Sequence, residues 1–208
     1  MALDGTEIAS IVKRRLGRSR AANIDGDILE EINHACRFYE NKPTKFWFQL
    51  AQTGLIATNG GGIPGIPAAD FLAEYEDGAL FVLLDNIPTE CFKDDPYIVR
   101  NKKEVAWNGA PFYYMIGENL YYKPTNKTQE FFMYYYKKAV PLATLADTNV
   151  WIENAEDLLI GTVGEAIAVG INSPRLPHFQ TLRQEAWIDL RRINVARQET
   201  NIVRTMGD

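Results

Sequence analysis

The sequence has few of the side chains that bind metals or perform nucleophilic catalysis. It contains only two histidines and two cysteines. His34 is predicted to lie within a helix, and His178 lies between Pro177 and Phe179. Neither has a second His or Cys at metal-ligand spacing. Cys36 falls on the apolar side of the same predicted helix, which favours a buried, reduced thiol. No G-x-S-x-G sequence is present. We therefore expect no metal, no cofactor and no enzymatic activity.

Long hydrophobic runs are also missing. The longest apolar stretch, residues 158–171, contains Glu165 and is too short to cross a bilayer. The first ten residues include Asp4 and Glu7 and lack the apolar segment of a secretory signal. These features predict synthesis in a cytoplasm and no membrane association.

Basic residues are outnumbered by acidic ones, with a net charge of −5, which argues against a general nucleic-acid-binding protein. One segment differs, because no acid occurs between Glu7 and Asp25. A solvated helix face followed by a loop is one interpretation of this segment. Contact with DNA passing nearby is the other. The basic cluster consists of Lys13, Arg14, Arg15, Arg18 and Arg20.

A glycine-rich segment, residues 59–65, formally matches the dinucleotide fingerprint at Gly60, Gly62 and Gly65. That fingerprint requires a helix whose N–H groups meet the pyrophosphate. Pro64 and Pro67 prevent a regular helix here, and no P-loop Lys-Ser/Thr follows. A flexible surface loop is therefore favoured over a nucleotide site.

Two pairs of adjacent acids are candidates for acid–base catalysis. Asp94-Asp95 is more typical of a turn, and Glu156-Asp157 is more typical of the first turn of a helix.

Helical periodicity dominates both ends of the chain. Residues 6–16 predict a helix that stops at Gly17, and residues 25–40 predict a second with Asp25 or Asp27 as its N-cap. Two longer helices are predicted after Pro141, separated by Pro174 and Pro177. The apolar stripe of the last helix is predicted to comprise Leu182, Ala186, Leu190, Ile193 and Ala196.

The middle of the chain, residues 46–137, is made of short aromatic-rich runs separated by Gly, Pro, Asn and Asp, as in a small antiparallel sandwich or barrel. Hairpin turns are predicted at residues 116–119 and 124–127. The predicted fold is thus α+β, a bundle of about four helices with an inserted antiparallel β-domain. Its predicted divisions are residues 1–44 (helices), 45–140 (β-domain), 141–199 (helices) and 200–208 (tail).

The return from the β-domain to the helices is predicted to be a structural corner. Pro141 ends strand pairing because it has no N–H. Asp147, Thr148 or Asn149 can satisfy free backbone groups there. Trp151 is then expected to anchor the returning chain on the helical core.

The order of these corner residues resembles that of tailed-bacteriophage head-to-tail adaptors, also called connector or head-completion proteins, of the tail tubular A type. The matching runs are Pro67–Phe71, Tyr114–Gly117, Pro141–Leu145 and Thr148–Trp151, and the last helix with residues 191–194 is also similar. The resemblance covers most of residues 6–199. It implies a virion protein at the head–tail junction that forms a ring, commonly a dodecamer. Such a ring docks under the portal protein, meets a downstream tail or nozzle protein, and passes double-stranded DNA without sequence specificity.

Candidate contact residues follow from this resemblance. Arg191 and Arg192 are predicted to pair with carboxylates of a neighbouring subunit. Residues 200–208 are predicted to leave the helix and to be disordered alone, and Ile202, Val203 and Met206 are predicted to become buried on the portal. An ordinary frayed terminus is the alternative for this tail.

A binding module is the competing function. In that case the chain is a phage tail or surface component that recognises a glycan through its aromatic β-domain. Exposed, flat aromatic clusters would favour it over a structural adaptor.

Overall fold

A computed structural model describes residues 4–17, 24–63, 69–75, 79–101, 106, 108–116, 119–123 and 127–205, with side chains as far as residue 197. The predicted α+β fold is confirmed, because the described residues contain six helices and mainly antiparallel sheets. The chain divides into two compact units. The helical unit comprises Met1–Gln49 and Ala139–Asp208, and the β unit comprises Leu50–Lys138.

The helices follow the predicted periodicity closely at the N-terminus. Their bounds are α1 Gly5–Arg15, α2 Asp25–Glu40, α3 Pro96–Asn101, α4 Val150–Asn154, α5 Glu156–Gly170 and α6 Leu176–Thr205. Gly17 follows α1 with a φ of 73°, the left-handed conformation that ends helices and that glycine adopts without strain. None of the described helices combines the length and apolar character that a bilayer crossing needs.

The predicted N-cap of α2 is wrong. Ile24 occupies the cap position and no side chain bonds the free N–H groups there. The Asp25 carboxylate is instead paired with Lys13 of α1. Asp25 therefore joins the two helices and does not cap α2.

The boundary of α6 also differs from the prediction. The helix continues past Glu199 to Thr205, because Thr and Asn reduce helix propensity by less than about 1 kcal/mol each and do not stop a helix as proline does. Pro177 lies in its first turn, where the missing N–H would have no helical partner in any case.

The core of the helical unit lies where α1, α2, α4, α5 and α6 meet. Trp151, Phe46 and Phe179 are fully buried there, with Ile and Leu side chains of α1, α2 and α5 around them. The rings of Phe46 and Phe48 both pack edge-on against Trp151. Trp151 therefore anchors the returning chain, as predicted.

The β unit contains two sheets. Its strands are β1 Leu50–Gln52, β2 Ile56–Thr58, β3 Phe71–Glu74, β4 Leu80–Leu84, β5 Ile87–Glu90, β6 Phe92–Lys93, β7 Phe112–Ile116, β8 Asn119–Tyr122 and β9 Gln129–Lys137. The first sheet has β9 at its centre, paired antiparallel with β1, β2, β3 and β4, and β5 follows β4. The second sheet pairs β7 antiparallel with β8 and parallel with β6.

Several local predictions in the β unit need correction. Residues 47–49 of the first aromatic run form a 3₁₀ turn, and the strand begins only at Leu50. Ile116 pairs with Asn119, which confirms the first hairpin, although its turn residues lie outside the described part. Strands β8 and β9 belong to different sheets and do not pair with each other, and residues 124–126 of the second predicted turn lie outside the described residues.

The described part of the glycine-rich segment is hydrogen-bonded to strand β8. The Ile63 N–H bonds the Leu120 carbonyl at 3.1 Å, and the Tyr122 N–H bonds the Gly61 carbonyl at 2.8 Å. Ile63 is buried. The flexible-loop interpretation is therefore wrong for residues 60–63, while Gly65, Pro64 and Pro67 lie outside the described residues.

Candidate assembly surface

The corner at residues 139–151 is held by polar side chains of the helical unit. Asn33 forms two hydrogen bonds with the backbone of Leu142, of 2.8 and 2.9 Å. Asn149 caps α4 by accepting bonds from the Trp151 and Ile152 N–H groups. Asp147 accepts bonds from the N–H groups at residues 143 and 144, and these bonds lower its pKa. The predicted structural corner is confirmed.

Helix α6 is positioned against α5 by glycines. A side-chain carbon at Gly161 would meet the backbone of Arg183 in α6, and one at Gly164 would overlap the ring of Phe179. Arg183 also pairs with Glu165 of α5 at 2.9 Å. These contacts fix which side of α6 faces the core.

The buried stripe of α6 differs from the predicted one after Leu190. Phe179, Leu190 and Asn194 are buried, whereas Ile193 is 45% exposed. The Asn194 amide is buried because it bonds the Trp47 N–H and the Lys45 carbonyl. Because Asn194 is buried in place of Ile193, the side chains that α6 exposes differ from the predicted ones.

An unpartnered face on α6 is formed by Ile188, Arg191 and Val195, here called the apolar–arginine face. Ile188 is 57% exposed and Val195 is 53% exposed. They are seven residues apart and so lie on one side of the helix, with Arg191 between them. No ion pair or hydrogen bond of the Arg191 side chain is found within the described part of the chain.

Arg192 has a partner within its own helix. Its guanidinium lies 3.4 Å from the Asp189 carboxylate, with both side chains mostly exposed. An exposed pair of this kind contributes about 0–1 kcal/mol. Arg192 can therefore exchange this partner for another carboxylate at little cost.

A groove of about 310 Å³ lies on a different side of α6, against the end of α4 and the start of α5. Ala155, Leu158 and Leu190 are the buried apolar residues of its lining, and Ile193 adds a half-exposed one. Four carboxylates also line the groove, namely Glu153, Glu156, Asp157 and Asp189.

The ionised form of at least one groove carboxylate, Glu156, is destabilised. The pKa of Glu156 is raised, first by desolvation and then by the nearby charges of Asp157 and Glu7, with Arg15 opposing the shift. A raised carboxyl pKa means that the ionised form is destabilised where it stands. A cation brought to this groove would relieve that cost.

The predicted basic cluster is only partly brought together among the described residues. Lys13 is mostly buried and paired with Asp25, Arg14 is exposed, and Arg15 is half-buried. Arg18 and Arg20 lie outside the described residues. A DNA-facing role for this cluster stays a prediction.

The predicted portal-docking tail is helical in the described residues. Ile202 and Val203 fall within α6, whose side chains are not described there, and Met206 lies outside the described residues. Docking of these residues on a portal stays a prediction.

The aromatics of the β unit are mostly core. Seven of them are buried, namely Tyr113, Tyr114, Tyr122, Phe131, Phe132, Tyr135 and Tyr136. Tyr121 is half-buried and stacks on Tyr114 at 5.3 Å between ring centres. It lines a pocket of about 460 Å³ together with Arg100 and Lys123.

The residues first considered for catalysis or metal binding lie apart. His34 and His178 are exposed, and Cys36 and Cys91 are buried, free thiols. Burial raises the pKa of Cys36 to about 12, which keeps it a thiol. Within the described residues, no three His, Cys, Asp or Glu side chains come together as a metal site.

Glu156-Asp157 opens a helix as predicted, whereas Asp94-Asp95, predicted to mark a turn, directly precedes helix α3. Asp95 accepts a hydrogen bond from the Tyr97 N–H where α3 begins, and Glu156 and Asp157 open α5.

Comparison with known proteins adds no relative, since neither a protein-family model nor a curated protein matches the chain.

Arg191 and Arg192 are exposed on α6, and their role as subunit contacts stays a prediction, whereas the groove was not predicted from the sequence. Its carboxylates come from α4, α5 and α6, which are separated along the chain and meet only in the folded unit. The missed exposure of Ile193 had one available signal, the polar Asn194 next to it in a supposed apolar stripe.

Proposed function

We propose that the chain is a structural virion protein of a tailed phage. In this proposal copies form a ring that joins the portal of the head to the tail and lets double-stranded DNA pass. The order of corner residues supports it, as does the α+β fold in which the β unit is inserted between helical segments. The protein then has no catalytic role, and its function lies in its contacts.

The observation that carries the proposal is the apolar–arginine face. Two large aliphatic side chains, more than half exposed and one heptad apart on a helix of 30 residues, are typical of a surface that another protein covers. The exposed Arg191 between them suits an interface, where arginine is enriched. A ring needs such a face on every subunit.

Assembly on a portal tests the proposal. Light scattering and negative-stain imaging of the chain, alone and mixed with portal rings of the same virus, should show a closed ring of copies bound to the portal. Assembly only in the presence of the portal also supports the proposal, because the portal then acts as template. The proposal is wrong if the chain neither binds portal rings nor forms a ring at any concentration.

Deletion of residues 200–208 tests the predicted portal contact separately. The truncated chain should keep its melting temperature and lose portal binding. If it binds portal rings as tightly as the full chain, the tail is an ordinary terminus.

A glycan-binding module is the second candidate, favoured by the pocket beside Tyr121. An aromatic face with two cations next to it suits a sugar that carries an acidic group. A glycan array followed by titration of Tyr121→Ala separates the two candidates. A glycan bound by the wild type and lost in the variant supports this module, and no binding by the wild type excludes it in favour of the adaptor.

A further inference from the structure

The groove and the apolar–arginine face lie on different sides of the same helix. At 100° per residue, Ile193 of the groove is about 140° around α6 from Ile188 of the face. One copy can therefore use both surfaces at once, each toward a different neighbour. This is the arrangement that a head-to-tail contact requires.

The two surfaces are complementary in chemistry. The face offers two exposed aliphatic side chains and, between them, the Arg191 cation, which has no carboxylate partner among the described residues. The groove offers an apolar floor with carboxylates around it. Burying Arg191 without a carboxylate would be unfavourable, and so would burying the groove carboxylates without a cation. Each surface supplies what the other needs.

We propose that the groove of one copy receives the apolar–arginine face of the next copy, and that Arg191 pairs there with Glu156 and Asp157. Ile188 and Val195 then cover the apolar floor at Leu190 and Ile193. This inference rests on the proposed ring, for which it names the contact between neighbouring copies. Arg192 stays with Asp189 at the rim of the same contact.

Charge reversal on each side tests the pairing. The face variant is Arg191→Glu, and the groove variant is Glu153→Lys with Asp157→Lys. All three positions are exposed, so each variant should keep the fold of the wild type, as measured by circular dichroism. Each variant should need about tenfold more protein, or more, to assemble on portal rings. Combining both variants in one chain should restore assembly, because the reversed charges again attract.

Arg175→Glu is the matched control. Arg175 is exposed and precedes α6, so the same change of charge there should leave assembly unchanged. The inference is overturned if the face and groove variants assemble as the wild type does. It is also overturned if the combined chain stays folded and fails to assemble.

Cysteine cross-linking tests directly whether the two surfaces meet in the assembly. A chain with Arg191→Cys and Asp157→Cys should give, under oxidation during assembly, a ladder of covalent oligomers up to the full ring. The native thiols are buried and should not contribute. A chain with Arg175→Cys and Asp157→Cys should give no ladder. Absence of the ladder in the first chain contradicts the proposed contact.

These results separate the inference from the proposed function. If the wild type forms rings and every variant assembles as the wild type does, the adaptor function stands and the contact between copies lies elsewhere. A wild type that never assembles, with or without portal rings, overturns the function itself.

Discussion

The side-chain amide of Asn194 forms two hydrogen bonds with the backbone next to Trp47. Its Oδ1 accepts from the Trp47 N–H at 3.0 Å, and its Nδ2 donates to the Lys45 carbonyl at 2.9 Å. Arg197, one turn further along α6, places its guanidinium 4.4 Å from the centre of the Trp47 ring. The last helix thereby holds the segment through which the chain leaves the helical unit.

Asn194→Ala should destabilise the helical unit. The change leaves a part-buried N–H and a part-buried carbonyl without these partners and empties the buried site of the amide, which should cost about 1–3 kcal/mol in unfolding free energy. Urea unfolding followed by tryptophan fluorescence measures it, since Trp47, Trp151 and Trp187 all lie in this unit. The control is Asn154→Ala, which removes one exposed bond within α4. Equal stability of the two variants would contradict the role given to Asn194.

A second prediction concerns the contact of α5 with α6. Gly164→Ala forces a methyl group into the buried Phe179 ring and should cost about 1–3 kcal/mol. Gly170→Ala is the matched control, because a side-chain carbon there meets no atom within 4 Å. It should be neutral or stabilise by up to about 1 kcal/mol, through helix propensity. Thermal unfolding of both variants tests this prediction. If Gly164→Ala melts at the wild-type temperature, the packing of α5 against α6 can adjust to the added methyl group without cost.

The contrast between α2 and α6 shows how much of the fold the sequence predicts. Ile28, Ile32, Cys36 and Tyr39 of α2 repeat with helical period and are all buried in the core, and the bounds of this helix were predicted correctly. In α6 the same period placed Ile193 inside, where the structure buries Asn194. That burial depends on backbone groups 147 and 149 residues away, which no local pattern encodes. Small strands such as β5 and β6 were missed because they carry few aliphatic or aromatic residues.

The corner offers a test of pH dependence. Asp147 has a lowered pKa because it accepts bonds from the backbone at residues 144 and 143. A lowered carboxyl pKa contributes stability that is present above the unfolded value of 3.8 and is lost as the pH falls through the folded value. Asp147→Asn should therefore be less stable than the wild type at pH 6, with the difference shrinking below pH 3.8. A difference independent of pH would assign the effect to geometry alone.

Glu156 should show the opposite sign, and it separates stability from assembly. Its pKa is raised by desolvation and by Asp157 and Glu7, against the opposing charge of Arg15. The folded chain therefore binds this proton more tightly than the unfolded chain does. The corresponding stability is fully present below the unfolded value of 4.5 and is lost as the pH rises through the folded value. At neutral pH the ionised carboxylate thus lowers the stability of the isolated subunit.

Glu156→Gln should accordingly raise the melting temperature of the isolated subunit at pH 7, and this gain should vanish below pH 4.5. The same variant should assemble less well, because the groove loses a carboxylate that the next copy's Arg191 would meet. Glu130→Gln, an exposed position on β9, is the control for loss of one charge and should change neither measurement. Melting curves across pH, with light scattering on portal rings, provide both readings. A variant that is more stable and assembles equally well would mean that Glu156 carries a cost in the subunit and no role in the contact.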